Sequence, residues 1–154
     1  MKGQRGKGHK GHKGHKGKGK REANLTHYCE GHVMTIQTYR DLVVWQKSVA
    51  FVTRVYTITR HFPNDERFGL TSQLRRCAVS IPSNVAEGYG RHATKDYVRF
   101  LHVAEGSLCE VQTQLLIAKN LNFLSSDLFL ELDELTREIE RMLTSMIRKL
   151  EARD

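Results

Sequence analysis

Residues 69–91 read GLTSQLRRCAVSIPSNVAEGYGR, and this stretch decides the fold of the chain. Its apolar residues recur at steps of three or four, which places them on one face of an amphipathic helix. They are Leu70, Leu74, Cys77, Ile81 and Val85. Val79 and Ala86 fall on the opposite side, where a helix with one buried face would carry polar residues. The pattern predicts a helix that is buried on two sides.

Two arginines and a proline distinguish this helix from a plain core helix. Arg75 and Arg76 lie outside the apolar face. Pro82 stands in the helix interior, where a proline removes a backbone donor and crowds the carbonyl four residues earlier. We expect a helix that keeps these residues to use their surface in function.

Three further segments have helical patterns. Thr38 followed by Asp41 has the form of a capping box that opens helix one. Short connections make consecutive helices antiparallel, and no segment alternates as a strand would, so the sequence predicts an all-α, up-down-up-down four-helix bundle. The core-facing residues predicted for helices one, three and four are Leu42, Trp45, Val49, Val52, Tyr56; Tyr97, Leu101, Ala104, Leu108, Val111, Leu115, Ala118; and Leu128, Leu132, Leu135, Ile139, Met142, Met146.

Positive charge is concentrated ahead of the helices. Residues 1–33 hold nine Lys and Arg against two acidic residues, which accounts for +7 of the net charge of +8. Their GHK repeats have no apolar surface, so we expect a disordered tail at 1–33 and a bundle domain at 34–154. The tail is either a polycationic arm for nucleic acid or a dispensable or misassigned extension, with Met34 as the true start.

The chemistry of most enzyme and metal sites is missing from the sequence. Three cysteines without CxxC spacing indicate reduced thiols. The inward Glu-x-x-His pairs of di-iron bundles are absent, and no phosphate loop or nucleophile motif is present. We therefore expect no catalysis, no metal and no cofactor. No apolar run is long enough to span a bilayer and no signal peptide is evident, which predicts a cytoplasmic protein without membrane association.

Apolar residues outside the predicted core faces suggest self-association. Contiguous exposed apolar surface usually marks an interaction site, and Gly106 and Ser107 are small enough to let another backbone come close. The alternative is one broad core that absorbs these residues. The residues predicted for a homo-oligomer interface are Val44, Phe51, Ile58, Val79, Ala86, Val103 and Leu116.

Several short motifs between Tyr39 and Phe123 together resemble the four-helix-bundle proteins encoded in bacterial 23S rRNA intervening sequences. The motifs are WQ at 45–46, FP at 62–63, GL at 69–70, QLRR at 73–76, SIPSN at 80–84, AEG at 86–88, Arg91 and EGSL at 105–108. Related accessory proteins of diversity-generating retroelements form pentameric barrels that bind a reverse transcriptase and nucleic acid. The resemblance thus implies a pentamer and, as a possible partner, a reverse transcriptase. The chain differs in its tail and in Cys77, where alanine is more usual.

Two functions fit these observations. Residues 54–99 contain eight Lys and Arg against four acidic residues, which favours non-specific electrostatic binding of RNA or DNA. The predicted phosphate contacts are Arg75, Arg76, Arg91, Lys95 and Arg99. The alternative is a structural protein-protein adaptor in which these arginines form intersubunit salt bridges with Glu87, Glu105 or Glu110.

Overall fold

The structure is a computed structural model that describes residues 26–29 and 32–152. Four antiparallel helices form an all-α bundle, as the sequence predicts. Each helix packs against its neighbour in sequence, and the first also packs against the fourth, which closes a ring of four around the core. The helices are α1 Val43–Ile58, α2 Leu70–Tyr89, α3 Thr94–Asn120 and α4 Ser126–Glu151.

The chain enters the bundle through the predicted capping box. The backbone N–H of Thr38 donates to the Asp41 carboxylate at 2.9 Å, and the Thr38 hydroxyl accepts from the Arg40 N–H at 3.0 Å. This box caps a short 3-10 turn at Tyr39–Asp41, and α1 begins only at Val43. The capping box is therefore confirmed, while the α-helix starts one turn later than predicted.

The core-facing residues of α3 are confirmed without exception. All seven predicted positions, from Tyr97 to Ala118, are buried. In α2 the predicted Leu74, Ile81 and Val85 are buried, whereas Leu70 and Cys77 only pack against the core edge. In α4 the predicted Leu132, Ile139 and Met146 are buried, whereas Leu135 and Met142 pack against the core edge and Leu128 is half-buried. These helices carry one dominant apolar face, so their periodicity identifies the buried side.

Helix α1 is oriented differently from the prediction. Val44, Phe51 and Ile58, predicted for an intersubunit interface, lie in the subunit's own core, and Phe51 is only 1% exposed. The predicted core-facing residues Val49 and Tyr56 are instead 36% and 42% exposed. For Val49 and Tyr56 the prediction exchanged core and surface, whereas Leu42 is buried as predicted and Trp45 and Val52 pack against the core. For α1 the alternative of a broad core is therefore the one realised.

A polar residue inside the buried stripe explains the exchange. Ser48 is fully buried between Val44 and Phe51. Its hydroxyl donates to the Val44 carbonyl at 2.7 Å, so its polar group is satisfied within the helix. The outward stripe, in which Val49 and Tyr56 are exposed while Trp45 and Val52 are half-buried, has no such interruption and therefore resembles a core face in the sequence.

A short hairpin precedes the helices, although the sequence had suggested no strand. Strand β1, Thr26–Cys29, pairs antiparallel with β2, His32–Thr35, with Thr26 opposite Thr35. This hairpin crosses the boundary predicted at residue 34. The GHK repeats lie outside the described residues, so the predicted disorder of the tail stays a prediction.

No helix in the described part of the chain is long and apolar enough to cross a membrane.

Candidate nucleic-acid interface

Arg75 is engaged within the subunit. Its Nε donates to the Thr59 hydroxyl at 2.8 Å, and its guanidinium carbon lies 4.8 Å from the centroid of the Tyr56 ring. The Thr59 hydroxyl in turn donates to the Val55 carbonyl at 2.8 Å. Arg75 thereby connects α2 to the C-terminal end of α1. Arg75 is half-buried, and its hydrogen bond and cation-π contact both reach another element of the bundle, so we assign it a role in stability.

Arg76, the next residue of α2, is not held, in the described part of the chain, by contacts of the kind that Arg75 makes. Successive helical residues point about 100° apart, and Arg76 is exposed beside the half-buried Arg75. It makes no ion pair or side-chain hydrogen bond with any residue among 35–152. Of the arginine pair, Arg76 is therefore the one available to a ligand.

The remaining predicted contacts gather at the turn between α2 and α3. The guanidinium carbons of Arg91 and Arg99 lie 4.7 and 5.1 Å from the centroid of the same Phe100 ring. Lys95 precedes Arg99 by one helical turn, which places both on the same face of α3. Arg91 also forms an ion pair with Glu87. We call Arg91, Lys95, Arg99 and Phe100 the turn cluster.

A close approach of two helices supports the turn cluster. Gly88 is buried on α2, and a side chain at this position would meet the Phe100 Cβ at 2.9 Å and the Tyr97 ring at 2.7 Å. Glycine is thus required for α2 to approach α3 here. This packing fixes the base of the Phe100 side chain, and through it the ring on which both arginines rest.

The five predicted phosphate contacts do not form one site. Cys77, beside Arg76, contacts Glu110 in the second half of α3, whereas Gly88 faces Tyr97 at its beginning. At a rise of 1.5 Å per residue, Arg76 and the turn cluster are separated by about 20 Å along the bundle. The predicted contacts therefore fall into two groups, Arg76 and the turn cluster, and Arg75 belongs to neither because its side chain is engaged with Thr59 and Tyr56.

The thiol of Cys77 belongs to a contact that the sequence did not suggest. It donates to the Glu110 carboxylate at 2.9 Å and accepts from the Gln114 amide at 3.6 Å. Burial, with a further contribution from the hydrogen bond to Glu110, raises the pKa of the Cys77 thiol. The thiol is therefore held protonated, which suits packing between helices and disfavours nucleophilic attack.

The acidic residues considered for intersubunit bridges all have partners in their own chain. Glu87 pairs with Arg91, and Glu110 accepts from Cys77. Glu105 accepts from the Thr144 hydroxyl at 2.8 Å and contacts the His102 ring at 3.2 Å. These contacts engage the three carboxylates that the adaptor alternative needs for intersubunit salt bridges.

Four of the predicted interface residues remain at the surface. Val79, Val103 and Leu116 are exposed, and Ala86 is half-buried. Val103 and Gly106 share the outer face of α3, and no atom lies within 4 Å of the position that a Gly106 side chain would take. Leu116 lines a shallow groove between α3 and α4 together with Phe129 and Leu130.

Metal chemistry finds no support in the described part of the chain. No group of three or more His, Cys, Asp or Glu side chains there has an arrangement that could hold a metal ion. The geometry therefore offers basic and apolar surfaces as its candidate functional features.

Comparison with known proteins agrees with this fold. The profile of a family described as 23S rRNA-intervening sequence protein matches residues 40–145. A solved structure of a protein with unknown function from the S23 ribosomal protein family, from Bacteroides thetaiotaomicron VPI-5482, superposes with a TM-score of 0.64 at 22% identity. The match covers 68% of this chain and 98% of that protein. A search of curated proteins gave no match.

Proposed function

Because the chain belongs to the 23S rRNA-intervening sequence protein family, we propose that it is a non-enzymatic, oligomeric accessory protein that binds RNA or DNA in the bacterial cytoplasm. Its helical domain contacts phosphates through the turn cluster and, separately, through Arg76. The observation that carries this proposal is the convergence of Arg91 and Arg99 on the Phe100 ring.

Fixed and exposed cations suit phosphate binding. Arg91, Lys95 and Arg99 are all exposed, and the ring limits the freedom of the two arginines. A side chain that is already ordered loses less entropy when it binds. Phosphate contacts of this kind release counterions and carry no base specificity. Each subunit therefore supplies a small, sequence-independent anchor for a nucleic-acid backbone.

Self-association would multiply these anchors. Val49, Tyr56 and Val79 expose apolar surface on α1 and α2, while Val103 does so on α3. A glycine inside an exposed helix costs roughly 1 kcal/mol relative to alanine, and Gly106 has no neighbour in its own subunit that requires it. Close packing of a second copy against α3 would explain why this position is glycine rather than alanine.

The resemblance described above favours a pentamer, with a reverse transcriptase as a possible protein partner. A ring places the same basic sites around one symmetric surface, and linked sites bind a common ligand more tightly than one site does. Oligomerisation through the apolar surfaces thus repeats the basic clusters, and the repeated clusters together bind a nucleic acid that a single cluster binds weakly.

The test uses a chain that begins at Ala23. This variant keeps the hairpin and loses all nine Lys and Arg of residues 1–33. We expect it to retain binding to structured RNA or duplex DNA at low salt and to scatter light as a multiple of the subunit mass. If binding disappears with the tail, the helical domain is not the binding surface.

A second variant separates the proposal from the adaptor alternative. Arg76→Ala is expected to weaken binding without a change in the mass of the oligomer. If the substitution instead dissociates the oligomer while the helix content is unchanged, Arg76 is an interface residue, and the adaptor alternative replaces nucleic-acid binding.

A further inference from the structure

We propose that the turn cluster binds unpaired nucleotides, with a base stacked on the guanidinium group of Arg99 and the adjoining phosphates held by Lys95 and Arg91. This inference rests on the proposed function and adds a ligand class to it. Single-stranded nucleic acid, or a single-stranded loop within a folded RNA, is the expected ligand at this site.

The Phe100 ring organises the two arginines into one site. Both guanidinium carbons lie within 5.1 Å of its centroid, so the two groups cannot be further apart than twice that distance. Each strand of a DNA duplex carries one charge for roughly every 3.4 Å of helix axis, and an extended single strand spaces its charges more widely. The two cations can therefore contact the same short stretch of strand, over at most about three nucleotides.

Arginine offers stacking as well as charge. A guanidinium group is planar and weakly hydrated, and it stacks on flat ring systems, whereas a lysine ammonium acts as a point charge. Arg99 is exposed, so its guanidinium group can be reached from solvent. An unpaired base can extend the stack there, as bases do on arginine planes in RNA-binding proteins.

The limited charge of the turn cluster argues against duplex as the preferred ligand. Electrostatic affinity for a nucleic-acid backbone increases with the number of phosphates that the protein neutralises. The turn cluster has three cations, and one of them, Arg91, is already paired with Glu87. Base stacking adds about 1 to 3 kcal/mol per base and is open only to bases that are not enclosed in a duplex. A small cluster therefore gains most from an unpaired strand.

The experiment compares two charge-conserving substitutions in the full chain. Arg99→Lys keeps the cation and removes the planar surface. Arg60→Lys is the matched control, because Arg60 is exposed, lies at the other end of the bundle and makes no cation-π contact within residues 35–152. Binding is measured by fluorescence anisotropy with labelled oligo(dT) and with a labelled duplex of equal length, at the same low salt concentration.

We expect Arg99→Lys to weaken oligo(dT) binding by roughly five- to a hundredfold, the range that corresponds to the loss of one stacked base. Duplex binding by this variant should change by less than about twofold, and Arg60→Lys should change neither. Phe100→Leu, which keeps the Cβ that packs near Gly88, should also weaken oligo(dT) binding selectively, because it removes the ring that orders both arginines.

Three results would overturn the inference, and they differ in what they mean for the proposed function. If Arg99→Lys leaves oligo(dT) binding unchanged, or weakens both ligands equally, the turn cluster is only an electrostatic contact and the proposed function stands. If the unsubstituted chain binds neither oligo(dT) nor duplex, both proposals fail. Circular dichroism of each variant shows whether the helices are intact, so a loss of binding can be assigned to the site.

Discussion

The guanidinium of Arg75 donates to the hydroxyl of Thr59 at 2.8 Å and so joins α2 to the end of α1. Its neighbour Arg76 is exposed to solvent. Two adjacent arginines thus have different roles, one in the stability of the bundle and the other in contacts with partners. The sequence alone could not separate them, because Thr59 lies on another helix.

Substitution of the two arginines should separate these roles. A hydrogen bond to a charged group contributes about 1.5 to 3 kcal/mol, so Arg75→Ala should lower the free energy of unfolding by an amount in that range. Arg76→Ala should change it by less than about 0.5 kcal/mol, as is usual for exposed positions. Urea denaturation of both variants tests the assignment. Equal losses of stability would contradict it.

The orientation of α1 gives a second prediction. Phe51 is buried and Val49 is partly exposed. Truncation of a buried phenylalanine costs about 3 to 5 kcal/mol, so Phe51→Ala should strongly destabilise the subunit. Val49→Ala should lower its stability by less than about 1 kcal/mol and reduce the mass of the oligomer. The reverse order of stabilities would show that the outward stripe is the core.

The comparison between α1 and α3 shows what can be read from the sequence. In α3 a single apolar face alternates with polar residues, so all seven core positions from Tyr97 to Ala118 are predictable. In α1 two apolar faces compete, and the buried one contains Ser48. Its hydroxyl is satisfied by its own helix, a local contact that periodicity does not reveal.

The candidate site was only partly predictable for a similar reason. Its cations can be found by residue type, but their grouping depends on which residues of α2 face which residues of α3. Phe100 could not be recognised as the centre of the turn cluster, because its partner Arg91 lies outside α3, in the connection between α2 and α3, where helical periodicity does not predict contacts. Contacts between helices decide such groupings, and a single sequence contains no direct record of them.

Gly106 provides a third prediction. Alanine there has open space in the subunit, and its higher helix propensity should raise subunit stability by up to about 1 kcal/mol. If a second copy packs closely on this face, Gly106→Ala should at the same time weaken association, as measured by sedimentation across a concentration series. A variant that is more stable and associates as tightly as the original chain would exclude close backbone approach at Gly106.

An ion pair between α1 and α4 gives a prediction on pH. Arg54 makes two hydrogen bonds to Glu131, at 2.8 and 2.9 Å, and these lower the pKa of the Glu131 carboxyl. A carboxyl whose pKa is lower in the folded state stabilises the fold above its unfolded pKa, near 4.3, and this contribution is lost as the pH falls through the folded value.

Glu131→Gln should therefore lower stability near pH 7 by about 0.2 to 1 kcal/mol, the range for exposed ion pairs. The difference from the unsubstituted chain should shrink as the pH falls below the unfolded pKa, near 4.3, and through the lower folded pKa, because the carboxyl is then protonated. Arg54→Gln should behave alike, and the double substitution should cost no more than either single one. A difference that persists in acid would assign the effect to packing.

The central claim is that the turn cluster contacts the nucleic acid, and the salt dependence of nucleic-acid binding tests it most directly. Arg91→Ala combined with Lys95→Ala removes the two cations of the turn cluster that hold phosphates. Arg60→Ala combined with Arg67→Ala removes two exposed cations at the other end of the bundle and serves as the matched control. Each phosphate contact contributes roughly 0.7 to 0.9 to the slope of log affinity against log salt. In the chain that begins at Ala23, we expect the first pair to lower this slope by about 1.4 to 1.8 and the control pair to leave it nearly unchanged. Equal slopes for the two variants would contradict the claim that the turn cluster is the nucleic-acid contact.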